Sequence, residues 1–289
     1  MRTWFFALLA AAASALAACA PVQMGEPALW RIADADSEIY LFGSVHVLPR
    51  GVQWLNPRIL AALESSDEFV TETDVEAADF SALAQRYGTL PAGETLTERL
   101  SADDRERLAR AAQETGLDPV ALDRLRPWFA ALQITYAYAA RQGHSTEAGV
   151  ESVLGARARA RNIRFGYLET PEQQIRVLAD LAPEDEAHFL SVTLRQIHEG
   201  GRALSDLDGP WAQGDLETLS RELDRQWAEA GPAIHNALII ERNRAWADAI
   251  AERLEGSGSA FITVGAAHLV GDENVVQLLR ERGIAVEGP

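Results

Sequence analysis

The sequence predicts an α/β protein: a central mixed, largely parallel sheet with two helical insertions covering its carboxyl edge. Three observations carry this. Two apolar runs, Ile39-Tyr40-Leu41-Phe42 and Phe261-Ile262-Thr263-Val264, each pass directly into a Gly-x-x-His unit, Gly43-Ser44-Val45-His46 and Gly265-Ala266-Ala267-His268. Short apolar runs of this kind read as buried strands, and small residues after them let the backbone turn closely and leave room for a ligand. Two further runs end in an acid: Glu68-Phe69-Val70-Thr71 leads into Glu72, and Ile163 to Leu168 leads into Glu169. Between them, apolar residues recur at helical spacing. In open α/β sheets the carboxyl edge is where ligands bind, so four chemically active residues are expected at one edge.

The elements follow in order. Residues 1–18 read as a secretory signal, with Arg2 as the positive start and an uncharged run from Trp4 to Ala18. The run is short of the roughly 20 apolar residues of a spanning helix and has the wrong flanks. The ending Leu16-Ala17-Ala18-Cys19 resembles a bacterial lipobox. That resemblance implies that Cys19 becomes the lipidated first residue of the mature chain. Ala20, not Asp, follows it, which favours the outer membrane, with the protein exported and facing the periplasm. Residues 19–28 are the lipidated N-terminus and linker, and 29–289 read as a single domain. With no second long apolar stretch, the mature chain is expected to be anchored to the membrane, not embedded in it.

Leu29-Trp30-Arg31-Ile32 and Ile39 to Val45 flank a polar turn at Asp34-Ala35-Asp36-Ser37 and read as a hairpin. Pro57 to Leu63 is a short helix, and Glu68 to Thr73 a strand. The first insertion, about 77–145, holds helical patterns at Phe80-Leu83-Ala84, Leu108-Ala111-Ala112 and Trp128 to Ala140, with starts at Ser101 and Asp118-Pro119. Thr146 to Arg161 is a helix feeding the strand at Ile163. The second insertion, about 172–255, begins after Pro171 and is broken near Pro183, Gly200-Gly201, Gly209-Pro210 and Gly231-Pro232. Ala233 to Glu255 reads as one amphipathic helix ended by Gly256-Ser257-Gly258-Ser259. Glu273 to Arg282 is a final helix, and Ile284-Ala285-Val286 a last strand.

Composition narrows the function. The 289 residues carry a formal net charge of −17, and every basic residue is arginine or histidine. Such a surface repels nucleic acid and anionic headgroups, so neither is expected as a partner. Cys19 is the only cysteine, which excludes disulfides and thiolate metal sites from the body of the chain. Two imidazoles and two carboxylates at one edge suit a divalent metal, or general acid–base chemistry without one. His144, His188, His198 and His235 lack ligand partners at helical spacing and read as structural. Trp128, Phe129, Tyr136, Tyr138, Trp211, Trp227 and Trp246 read as packing residues.

The ordered segments Leu-Trp-Arg-Ile, Tyr-Leu-Phe-Gly-Ser-Val-His, Phe-Val-Thr-Glu, Leu-Glu-Thr-Pro-Glu-Gln-Gln, Glu-Arg-Asn-Arg-Ala-Trp and Val-Gly-Ala-Ala-His-Leu-Val-Gly resemble the TraB/GumN family, which includes the Tiki metalloproteases. The resemblance runs from about Leu29 to Val286. It implies a metal-dependent peptidase using Mn or Co, with Zn a chemical alternative, and a ligand set of His46, His268 and Glu72, with Glu169 beside it. Glu241, Arg242 and Asn243 match a Glu-Arg-Asn segment of bacterial members. Ser44 stands where Thr is common and keeps the hydroxyl. Glu151, after Gly149-Val150, stands where Asp is frequent, and its role is left open. Related folds include erythromycin-esterase-like hydrolases and a haem-binding lipoprotein, so the scaffold alone does not fix the chemistry.

The expectation is thus an envelope-anchored, metal-dependent hydrolase of peptide bonds, with a peptide or small molecule as substrate. Three ligands leave a position for a water whose pKa the metal lowers. Glu169 then serves as general base, with its role and that of Glu72 exchangeable. Arg242 pairs with these acids or holds a substrate carboxylate. Asn243 bonds the glycine-loop backbone or the substrate. Gly43 and Gly265 make room at the strand ends, and Glu241 accompanies Arg242. The alternatives are a metal-free esterase-like hydrolase with His46 or His268 as base, and a non-catalytic lipoprotein that binds haem, a metal or an envelope component.

Overall fold

The computed structural model of the chain describes residues 24–200 and 202–289. The signal segment 1–18, Cys19 and Gly201 lie outside the described residues. Among the described residues eight strands are formed: β1 (Leu29–Ala33), β2 (Ser37–Ser44), β3 (Leu48–Pro49), β4 (Glu68–Thr71), β5 (His144–Ser145), β6 (Arg164–Tyr167), β7 (Gly258–Gly265) and β8 (Val286–Glu287). Six build the main sheet in the order β6-β4-β7-β2-β1-β8. The pairs β6–β4, β4–β7 and β7–β2 are parallel, while β1 runs antiparallel to β2 and to β8. The four strands expected to converge are therefore consecutive neighbours pointing the same way.

Their sequences explain why. A parallel strand is buried on both faces and reads as a continuous apolar run. Phe42, Phe69 and Phe261 point to one face, where they pack with Trp54, Leu63 and Trp211. Leu41, Val70 and Ile262 point to the other, against Trp246, Ile250 and Leu279. The β1–β2 turn closes on Asp34, whose carboxylate accepts the backbone N–H of Ser37 at 2.8 Å.

Local signals set most helix ends. Asn56 caps helix Pro57–Glu64, which has proline in its first turn. Ser101 caps Ala102–Thr115, and left-handed Gly116 ends it. Helices Ala102–Thr115 and Pro127–Arg141 of the first insertion share a core with helix Pro183–His198 of the second, in which Leu108 and Ile134 meet Leu190 and Leu194.

Four departures from the sequence reading have physical causes. The expected helix Thr146–Arg161 splits into a 3₁₀ turn, Thr146–Ala148, and helix Val150–Ala160. Gly149 between them is extended, and a Cβ there would lie 2.1 Å from the His46 carbonyl oxygen. The expected helix Ala233–Glu255 contains a π-helical stretch at Asn236–Ile240. The expected break at Gly209-Pro210 is absent, since helix Arg202–Gln213 runs through Pro210. Proline costs that helix a bond. Against this, Trp211 is buried, and its indole N–H donates to the Gly43 carbonyl at 2.8 Å. Finally, the last strand is shifted to Val286–Glu287, where it meets Arg31 and Ile32 of β1.

Candidate functional site

The two Gly-x-x-His units lie side by side. In the β2–β7 ladder Gly43 faces Val264 and Ser44 faces Gly265. A Cβ on Gly43 would come within 3.0 Å of Ala266 Cα, so the two turns approach too closely for a larger residue. The Gly265 N–H donates to Glu72 Oε1 at 2.7 Å. That carboxylate oxygen would lie 3.3 Å from a Cβ on Gly265. Glu72 itself follows β4, the next strand over. His268 sits in the 3₁₀ turn Ala266–His268 after β7, and His46 in the loop between β2 and β3.

The two histidines occupy opposite environments. The His46 side chain is 51% exposed, whereas that of His268 is 5% exposed. His46 Nδ1 lies 2.8 Å from Glu151 Oε1. Glu151 stands in the first turn of helix Val150–Ala160, where free backbone amides favour a carboxylate. The helix start is docked on the His46 loop by a bond from Val150 N–H to the Val45 carbonyl at 3.1 Å. Glu151 raises the His46 imidazole to about 9, against an opposing effect of burial. Burial pushes the Glu151 carboxyl up, but His46 and the Ser44 hydroxyl outweigh it and hold the group below its ordinary value. Tyr136 also belongs here: burial, then the charges of Glu151 and Glu72, raise its phenol, although the residue is 43% exposed.

The rest of the site is organised by Arg242. The π-helical stretch ends where the Glu241 N–H donates to the Asn236 carbonyl, and single wide turns of this sort recur at functional sites. Arg242 follows at once. Its Nε and Nη2 reach the two oxygens of Glu169 at 2.8 and 3.1 Å. Nη2 also donates to Glu72 Oε2 at 2.6 Å and to Gln174 Oε1 at 3.0 Å. Nη1 donates to the Leu238 carbonyl at 3.2 Å. The guanidinium stacks over Trp246 at 4.4 Å from the ring centre. Burial pushes the Glu72 carboxyl up, but Arg242, His268, His46 and the Gly265 amide together hold it well below the usual carboxylate range.

His268 is neutral, because burial lowers it to about 3 despite Glu72 nearby. Its tautomer follows from its neighbours. Asn243 Nδ2 donates to the Glu273 carbonyl at 2.9 Å, which leaves Oδ1, 2.6 Å from His268 Nδ1, as an acceptor. Nδ1 therefore carries the proton, and the Nε2 lone pair accepts from Arg242 Nη1 at 3.3 Å.

These contacts revise several assignments. Among the described residues no group of three or more His, Cys, Asp or Glu side chains is arranged to hold a metal ion. His268 Nε2 lies 3.9 Å from Glu72 Oε1, but the expected ligand set His46, His268 and Glu72 is not drawn together as a three-ligand centre in this arrangement. The reason is Arg242, a cation that takes the His268 lone pair and a Glu72 oxygen, while His46 turns to Glu151. Glu169, expected as general base, gives both oxygens to Arg242. Asn243, expected at substrate or loop backbone, is fully buried behind His268 and holds the loop at Glu273. Glu241 lies apart from the carboxylate network, on the surface, where Asn236 Nδ2 donates to it at 2.7 Å. Of the residues read as packing, Tyr136 feels the charges of Glu151 and Glu72, and Trp211 binds the Gly43 carbonyl. No spacing rule exposes either. Gln174 was visible only as part of a motif, and Glu151 only as the acid after Gly149-Val150 whose role the family resemblance left open.

Comparisons with known proteins identify relatives of the whole chain. Residues 28–288 match the TraB/PrgY/gumN family. The chain is 28% identical over 254 residues to the uncharacterized protein YbaP of Escherichia coli K12, covering 88% of this chain and 92% of that one. It is 28% identical to the YbaP of Shigella flexneri over 83% of this chain and 87% of the other. An uncharacterized protein of Treponema pallidum is 24% identical over 89% of this chain and 81% of its own. No solved structure matches. A family match over almost the whole described chain, with the paired histidine units at its sheet edge, means that this protein belongs to the TraB/PrgY/gumN family.

Proposed function

We propose that the chain is a hydrolase of carboxylic acid derivatives, peptides or esters, in which His46 moves the proton. The observation that carries this reading is the 2.8 Å contact between His46 Nδ1 and Glu151, made while the ring remains half exposed. A carboxylate on one imidazole nitrogen orients the ring and leaves the other nitrogen for the reacting atoms. Hydrolysis needs a proton removed from water and one delivered to the leaving group. An imidazole that reaches both does this in turn. Raised to about 9, His46 is an imidazolium at neutral pH, ready to donate, and becomes the stronger base in alkali. Tyr136, whose phenol feels the charges of Glu151 and Glu72, is the candidate donor to an oxyanion. Arg242, Glu72 and Glu169 hold the wall of the site. We further propose that Cys19 anchors the exported chain by lipid, with the site facing the periplasm; the Leu-Ala-Ala-Cys ending supports this.

One observation favours a metal-dependent second reading. His268 is in the tautomer that presents Nε2, with Asn243 behind Nδ1, as in many imidazole ligands. A metal would need Arg242 to release both Glu72 and His268. Peptidase and esterase assays on the purified chain in detergent, with chelator and then with added Mn or Co, separate the two. The proton-transfer reading expects hydrolysis that survives chelation and falls by roughly 10²–10⁴ in His46→Ala. Activity abolished by chelator and restored by Mn would establish the metal reading instead.

A further inference from the structure

The described chain enters the domain at the edge that carries His46. Strand β1 runs antiparallel to β2, and its first residue, Leu29, pairs with Phe42 near the end of β2. The residues just before Leu29 therefore lie at the carboxyl edge of the sheet, and they are fastened there. The Gly25 N–H donates to the Gln53 carbonyl at 2.6 Å, and Asn56 Nδ2 donates to the Gly25 carbonyl at 3.1 Å. Arg58 Nη2 donates to the Pro27 carbonyl at 2.9 Å. On the other side, a Cβ on Gly25 would lie 2.5 Å from the Ala212 carbonyl oxygen, and one on Gly214 would lie 2.5 Å from that of Glu26. Both sides of this clamp lead back to the first Gly-x-x-His unit. Ala212 follows Trp211, whose indole binds the Gly43 carbonyl, and Gln53 closes the loop that starts at His46 and passes through β3.

The clamp fixes how much free chain a lipid on Cys19 would have. Residues 20–23 alone lie between Cys19 and Met24, and four residues span at most about 14 Å when fully extended. A domain of this length has a radius of gyration of about 18 Å. A tether shorter than that radius cannot pass round the domain, so the entry point has to face the bilayer. We propose that the carboxyl edge of the sheet, with His46, is held against the membrane surface by this short tether. The partner of that edge is the lipid surface, and the site meets what the bilayer presents. The domain stays in the periplasm, with this edge turned to the headgroups. The proposal rests on the reading that Cys19 carries lipid.

The test places one label at each end of the sheet. Arg50 lies just past His46 and Asp36 in the turn before β2, and both are exposed. The eight residues of β2, at about 3.3 Å each, put the two ends about 26 Å apart. Lipid on the Cys19 sulfur leaves the cysteine of Arg50→Cys or Asp36→Cys as the one thiol free to take a fluorophore. The full lipidated chain is placed in vesicles of phosphatidylethanolamine and phosphatidylglycerol that contain a lipid with a nitroxide on its headgroup. The label of Arg50→Cys should lose most of its fluorescence, and that of Asp36→Cys almost none. Inserting about twenty Gly/Ser residues between Gln23 and Met24 adds about 25 Å of flexible reach, and the two labels should then be quenched alike. Equal quenching in the chain of native length, or stronger quenching of Asp36→Cys, would overturn the proposal and leave the anchor in place. A difference that survives the insertion would overturn the short tether as its cause. A wild-type chain shown by mass spectrometry to carry no lipid on Cys19 overturns the anchoring reading and this orientation with it.

Discussion

Arg242 and Glu72 form a buried ion pair with a 2.6 Å contact, between residues 170 positions apart in the chain. It fastens the second insertion to the end of β4, and the same guanidinium holds Glu169 after β6. Glu72 in turn receives the Gly265 amide from the end of β7. Three strand ends are thus tied through one arginine, with the half-exposed His46 following the neighbouring β2.

Removing Arg242 should therefore cost far more than a surface charge. Arg242→Met leaves two buried carboxylates without their cation, and breaking such a pair costs about 3–5 kcal/mol. Arg242→Lys should recover little, because an ammonium cannot reproduce the fork that engages Glu169 with two nitrogens. Urea denaturation of the three proteins measures this. A change within about 0.5 kcal/mol, the range of ordinary surface substitutions, would contradict it.

Stability should peak near pH 6.5. His46 is raised to about 9, so its contribution is complete below the ordinary imidazole value of about 6.5 and is lost as pH rises through 9. His268 is lowered to about 3, so below about 6.5 the unfolded chain takes up a proton that the folded chain refuses until about 3, and stability falls with acid. Glu72, held below its ordinary range, adds to the loss under about pH 4. Denaturation midpoints from pH 4 to 10 trace the curve. His46→Gln should flatten the alkaline limb only; a limb unchanged in that variant would show that another group sets it.

The Glu151 contact makes a separate statement about His46. In Glu151→Gln the imidazole loses its negative partner and should titrate lower, toward about 6.5, read by NMR of the His46 ring. If His46 acts as the base, the pH–rate curve should shift to lower pH with it and the rate at its plateau should fall, since orientation is weakened. A ring that still titrates near 9 would locate the cause of the raised value elsewhere.

Membrane anchoring is tested at Cys19. Cys19→Ser should move the protein from the membrane fraction to the soluble one, and mass spectrometry of the wild type should find lipid on the N-terminal cysteine. One chain gives only marginal, reversible binding, so the modification expected carries more than one. A wild type recovered soluble and unmodified would refute the anchor.

The sequence by itself determined the architecture. Apolar runs through Phe42, Phe69 and Phe261, bounded by small or acidic residues, read as strands buried on both faces, and such strands run parallel and deliver their carboxyl ends together. Ser101 and Asp118 placed helix starts for the same local reason, a side chain that satisfies free amides. Which groups meet at that edge was decided by the tertiary structure. Gly149 had to yield to the His46 carbonyl before Glu151 could reach the ring, and a wide turn before Glu241 accompanies the approach of Arg242 to two carboxylates. Hydrogen bonding and charge pairing act over about 3 Å. The partners of His46 and Glu72 were therefore settled only when elements distant in the chain were packed to that tolerance.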